Sequence, residues 1–122
     1  MIAVIFEVLL NSQNKDEYFT LASQLKARLQ EVRGFISVER FQSLNEPDKY
    51  LSLSFWQDEA AVKTWRNTIN HRQAQQAGRD GIFNGYRIRV ASVLRDYGME
   101  NGAQSPDDSR AIHHQKAQAC RE

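Results

Sequence analysis

Residues Ile2–Leu10 place Ile2, Val4, Phe6, Val8 and Leu10 on one face and Ala3, Ile5, Glu7 and Leu9 on the other. Period-two alternation reads as a strand, and two mostly apolar faces read as a strand covered from both sides. This constrains the fold more than any other feature. A chain of 122 residues has room for one domain, and that domain has to supply two apolar layers.

The remaining periodicities set the order of elements. Tyr18, Ala22, Leu25, Leu29 and Val32 recur at steps of four and three, so residues Asn14–Val32 read as an amphipathic helix. Asn14 is its expected N-cap with Glu17 as capping partner, and Gly34 ends it. Phe35–Ser43 and Lys49–Gln57 read as strands joined in a hairpin through the turn residues around Asn45 and Pro47. Asp58 caps a second helix reaching about Asn67, with Val62, Trp65 and Ile69 on one stripe. Asn70 restarts a short helix that Gly78 stops. Gly81–Gly85 reads as a loop, and Tyr86–Asp96 as the last core strand.

The order β-α-β-β-α-β is the ferredoxin-like, split βαβ pattern: an α+β fold with helices on one face of a four-stranded antiparallel sheet. The other face would leave large apolar side chains in water. A monomer of this size seldom does that, so a homodimer with sheets packed face to face is expected. Residues 1–98 form the expected domain. Residues 99–122 form a C-terminal arm, with a short helix starting at Ser105-Pro106-Asp107-Asp108.

Composition excludes several classes. Sixteen Lys and Arg against fifteen Asp and Glu leave a net charge of +1, which argues against a nucleic-acid binder. No apolar run approaches the ~18 residues of a membrane span. The apolar start has no basic stretch before it, so a strand is expected rather than a secretory leader. A single cysteine, Cys120, fits a reducing, cytoplasmic compartment. His71, His113, His114 and Cys120 are too scattered for a metal site, and no phosphate-binding or dinucleotide motif occurs. The even total conceals one bias. Lys63–Arg95 carries seven cations against one acid, Asp80. That is either a solvated face or a cleft suited to anionic or electron-rich ligands.

Phe55-Trp56-Gln57-Asp58, Trp65-Arg66-Asn67, His71-Arg72, Ala74-Gln75, Gly78-Arg79 and Tyr86-Arg87-Ile88-Arg89-Val90 follow one another across the second half of residues 1–98. Together they resemble the antibiotic biosynthesis monooxygenase (ABM) domain family. The resemblance implies a dimeric ferredoxin-like α/β barrel with a pocket in each subunit between sheet and helices. It also implies a monooxygenase that uses O2 without metal, flavin or haem on a small aromatic or quinone-like substrate. Such chemistry needs an electron-rich, deprotonated substrate, a polar group that assists deprotonation and an apolar cage. Two other functions stay open beside it: a non-catalytic dimeric binding domain, and a haem-degrading relative. The haem-degrading branch uses a first-strand asparagine and a histidine well after the tryptophan. Here Glu7 stands on the first strand, Gln75 stands ten residues after Trp65, and His71 only six, so haem is not expected.

The resemblance makes Trp65 a wall of the pocket and His71 the group that polarises or deprotonates the substrate. A place in the first turn of a helix favours the neutral imidazole such a role needs. Asn67, Arg72, Arg79, Tyr86 and Arg87 are the candidates to hold the substrate, with Arg89 a further cation beside them. Each has a plainer role in reserve: Trp65 as the largest core side chain of its stripe, His71 as a helix-terminal residue, the arginines as solvated cations.

Overall fold

The computed structural model describes residues 1–68 and 83–108. Its elements run β1 (Ile2–Leu10), α1 (Lys15–Leu29), β2 (Phe35–Gln42), β3 (Lys49–Trp56), α2 (Glu59–Arg66) and β4 (Phe83–Ser92). The four strands form one sheet in the order β2-β3-β1-β4, with every neighbour antiparallel. The fold is α+β and ferredoxin-like, as the order of periodicities implied. The two-sided strand β1 takes an interior position in the sheet, hydrogen-bonded to β3 on one side and β4 on the other.

Directly paired residues of antiparallel strands share a face, so the register sorts every side chain. Ile2, Val4, Phe6 and Val8 lie with Trp56, Ser54, Ser52 and Tyr50 of β3 on the helix-facing side. Two clusters form there. In one, Leu29, Ala61 and Trp65 of the helices close over Trp56, with Ile2, Val4 and Phe35 packed against them. In the other, Tyr18 of α1 closes over Val8 and Leu10 beside Phe19 and Tyr50. Trp56 is only 2% exposed. Its indole N–H still finds a partner, donating to Ser54 Oγ at 2.9 Å, which removes the cost of burying a free donor.

Local chemistry moves several boundaries. Asn14 occupies the N-cap position of α1 without a side-chain cap bond. Asn11 caps instead, its Oδ1 accepting from Asn14 N at 2.9 Å. The helix stops at Leu29 rather than Val32, because Glu31 N and Val32 N bond back three residues, to Arg28 O and Leu29 O, the tightened last turn common at helix ends. Gly34 then turns the chain at φ +92. A Cβ there would sit 2.7 Å from Ala61 Cβ, so this site demands glycine both for its backbone and for its closeness to α2.

β4 begins at Phe83, inside the expected loop, because Phe83 pairs with Leu10 across an irregularity at Leu9/Leu10. It ends at Ser92 rather than Asp96. Ser92 pairs with Ile2, the first residue of β1, so the ladder has no further partner. Residues 1–92 form one compact unit and residues from Val93 a second. Within the second, Asp96 N donates to Gln104 Oε1 at 2.7 Å and Ser105 Oγ donates to Gly102 O at 2.6 Å. The expected short helices at Asn70–Gly78 and beyond Asp108 lie outside the described residues. Among the described residues no helix is long and apolar enough to cross a membrane.

Candidate functional site

The helix-facing side of the sheet is covered unevenly. Over β3 it is closed by Trp65 and Leu29. Over β4 the register puts Tyr86, Ile88 and Val90 beside Val8, Phe6 and Val4 of β1, and these three side chains stay 62%, 46% and 49% exposed. Tyr86 leans on Phe6, with ring centroids 5.9 Å apart. The result is an apolar and aromatic floor, half of it open, of the kind that accepts a flat or alicyclic apolar ligand.

Trp65 stands on α2, whose start is set by Asp58: its Oδ1 accepts from Ala61 N at 2.9 Å. The side chain is 9% exposed and belongs to the cluster with Leu29, Trp56 and Ala61. Val4 packs against that cluster and pairs across the sheet with Val90, so the tryptophan's core and the open floor share one strand. Asn67 closes the other end of α2. Its backbone N–H reaches Lys63 O and its Nδ2 donates to the same carbonyl at 2.9 Å, while Thr68 Oγ1 donates to Trp65 O. These bonds satisfy carbonyls that a helix end leaves open.

Tyr86 and Arg87 part company. Neighbours on a strand point to opposite faces, so Arg87 lies on the far side of the sheet, directly paired with Glu7. Arg89 lies there too, with Nη1 3.2 Å from Glu7 Oε1, and Lys49 Nζ stands 3.8 Å from Glu7 Oε2. Arg87 is thereby separated from the helix-side pocket expected for it. Of the cationic run, Arg87 and Arg89 share the face turned away from the helices. His71, Arg72 and Arg79 lie outside the described residues, in the segment joining α2 to β4. Ile88, Val90 and Phe6 were not singled out as site residues by sequence reasoning. The signal for them was the strand register, which alternation alone does not supply. Among the described residues no group of three or more His, Cys, Asp or Glu is placed to hold a metal.

Among the described residues two titratable groups are moved by their surroundings, both at the Leu10 end of the sheet. Burial raises the Tyr18 hydroxyl above its ordinary 10.0, against the opposing pull of Arg40. A hydrogen bond to Asp48 raises Lys15, whose Nζ lies 2.7 Å from Asp48 Oδ1.

The same architecture recurs in solved structures. An antibiotic biosynthesis monooxygenase structure from Deinococcus radiodurans matches 81% of this chain and 98% of its own at TM-score 0.74 and 13% identity. SnoaB of Streptomyces nogalater, a cofactor-independent oxygenase, matches 78% of this chain and 94% of its own at TM-score 0.68 and 10% identity. At such identities the likeness is one of fold. In sequence, a jasmonate monooxygenase of Pyricularia oryzae is 44% identical over 93 residues, 76% of this chain. The chain spans only 43% of that relative's length. The family model for antibiotic biosynthesis monooxygenases matches residues 1–77. With well over half of its length under that model, the chain belongs to the antibiotic biosynthesis monooxygenase family.

Proposed function

We propose that this protein is a cofactor-independent monooxygenase that acts with O2 on a small, largely apolar carbonyl compound, aromatic, quinone-like or alicyclic, and works as a cytoplasmic homodimer. The observation that carries the reading is the open apolar floor of Phe6, Tyr86, Ile88 and Val90 on the helix-facing side. An exposed strip of that kind needs an occupant. Family membership supplies the chemistry, and the jasmonate monooxygenase relative extends the substrate class from aromatic rings to an alicyclic keto carboxylate.

The sheet domain, residues 1–98, would hold the reacting substrate. The floor excludes water and grips the apolar body of the ligand. Tyr86 offers a hydroxyl at its edge, and Trp65 stiffens the wall from the core side. His71 takes a proton from a CH2 next to the carbonyl, and the anion passes an electron to O2. The resulting radical pair joins in a C–O bond. The hydroperoxide, reprotonated by His71, loses water to leave a new carbonyl, so one oxygen atom enters the substrate and the other leaves as water. Arg72, Arg79 and Asn67 hold the anion. Arg87 has no part in this site, since it faces the other side of the sheet.

The test is oxygen uptake by chelator-treated, flavin-free protein, run with an anthrone-type substrate and with jasmonic acid. Substrate-dependent uptake that falls at least tenfold in His71→Ala supports the reading. Binding of either compound without uptake would instead favour a non-catalytic binding domain. The core packing of Trp65 and the helix-capping amide of Asn67 suit that second reading equally well.

A further inference from the structure

Asn-Gly occurs twice in the chain, at Asn84-Gly85 and at Asn101-Gly102. The dipeptide has a chemistry of its own. Glycine leaves its amide nitrogen unshielded, so that nitrogen can reach the carboxamide carbon of the asparagine before it and close a five-membered ring. The fold treats the two copies differently. Asn84 lies within β4, and Gly85 pairs with Leu9 in the ladder. Asn84 Oδ1 accepts from Asn11 Nδ2 at 3.4 Å. Closing a ring there would pull Gly85 out of register with Leu9. Asn101 and Gly102 stand exposed, outside every strand and helix, in the unit that begins at Val93.

The local hydrogen bonds favour ring closure at Asn101. Gly98 N donates to Asn101 O at 2.8 Å. That oxygen belongs to the same amide as Gly102 N, so the bond stabilises the charge left on the amide when the nitrogen gives up its proton. Ala103 N donates to Asn101 Oδ1 at 3.4 Å. This curls the carboxamide along the chain past Gly102 N and polarises the carbon to be attacked. Among the described residues no hydrogen bond ties down Gly102 N. The backbone does not demand glycine here, since its φ is not left-handed and an added Cβ would meet Ser105 Oγ at an ordinary 3.7 Å. We propose that Asn101 is a site of spontaneous deamidation, in which Gly102 N, assisted by the Gly98 N–H, attacks Asn101 Cγ to form a succinimide. The new N–C bond forms, the bond from Cγ to the amide nitrogen breaks, and the Gly102 proton, passed through water, leaves with that nitrogen as ammonia. Water then opens the ring at one carbonyl or the other, giving aspartate or isoaspartate with no change in oxidation state. Either product adds one negative charge, cancelling the chain's formal +1, to a segment that already holds Asp96 and Glu100. Isoaspartate also inserts a carbon into the main chain beside the bond that Gly98 N makes.

The test incubates the full folded chain at mildly alkaline pH and follows both asparagines by peptide mass spectrometry. Asn101 should convert at least tenfold faster than Asn84, and faster as pH rises. The products should include isoaspartate as well as aspartate, with a matching acidic shift on isoelectric focusing. Gly102→Ala, which the segment accommodates, should slow conversion at least tenfold. Gly98→Pro, which removes the donor to Asn101 O, should slow it too. Gly98→Ala keeps the N–H, and its added Cβ meets nothing within 4 Å among the described residues, so it should convert at the wild-type rate. In urea the two asparagines should converge to similar rates. Equal rates at the two sites in the folded chain, or a faster rate at Asn101 in urea than in the folded chain, would overturn the proposal. So would aspartate without isoaspartate, which marks direct hydrolysis rather than a ring. An unchanged rate in Gly98→Pro, or an equal slowing in Gly98→Ala, would overturn the assistance by the Gly98 N–H.

Discussion

On one face of one sheet, β3 and β4 carry the same alternation and meet opposite fates. Trp56 of β3 is the most deeply buried large side chain of its cluster, closed over by Leu29 and Trp65. Ile88 and Val90 of β4, on the same face, remain about half exposed. The difference lies in what passes overhead. Helix α1 packs over Val8 and Leu10 of β1 through Tyr18 and meets β2 where Arg40 Nη2 donates to Ala22 O at 3.1 Å, and α2 packs on Trp56 of β3. The closed half stores the stability of the domain, and the open half is the proposed place of the ligand.

Substitutions should separate those two halves. Trp56→Ala on the closed side should cost about 3–5 kcal/mol, the range for a buried aromatic truncated in a packed core, read as a fall in denaturant midpoint at constant slope. Gly34→Ala, which drives a methyl into Ala61 and strains a left-handed backbone, should cost about 2–4 kcal/mol. Asp58→Ala, removing the cap on Ala61 N, should cost about 1 kcal/mol. On the open side, Ile88→Ser should change stability by only about 0.5 kcal/mol. It should nevertheless reduce ligand affinity or turnover about tenfold, because it removes apolar floor that stands half exposed. If Ile88→Ser unfolds the protein as Trp56→Ala does, the distinction between the halves is wrong.

The smallest effect concerns pH. Tyr18 ionises less readily in the folded state than in the unfolded chain, because burial disfavours the phenolate. Its contribution is therefore complete below pH 10 and is lost as pH rises through the folded value, since the unfolded chain releases the proton first. Denaturant midpoints should fall above pH 10 in the wild type, and Tyr18→Phe should flatten that fall.

Much of the fold was legible because it rests on local periodicity. The two-sided strand Ile2–Leu10, the stripe Tyr18–Ala22–Leu29 and the alternation of Lys49–Trp56 are each written within a few residues. Boundaries were less so. Asn11 rather than Asn14 caps α1, and β4 stops at Ser92, because a cap depends on which side chain reaches and a strand ends where its partner does. The site was legible only in part. The register puts Tyr86 on the helix-facing side and Arg87 with Arg89 on the other, while His71, Arg72 and Arg79 lie outside the described residues.

The sequence by itself determined the order of elements, the faces of each strand and the family, since all three depend on side-chain spacing along the chain. Only the tertiary structure decided which part of the helix-facing side was covered, and that Glu7 gathers Arg89 and Lys49. These are matters of register and overlap between segments far apart in sequence, and no local pattern records which neighbour a face will meet.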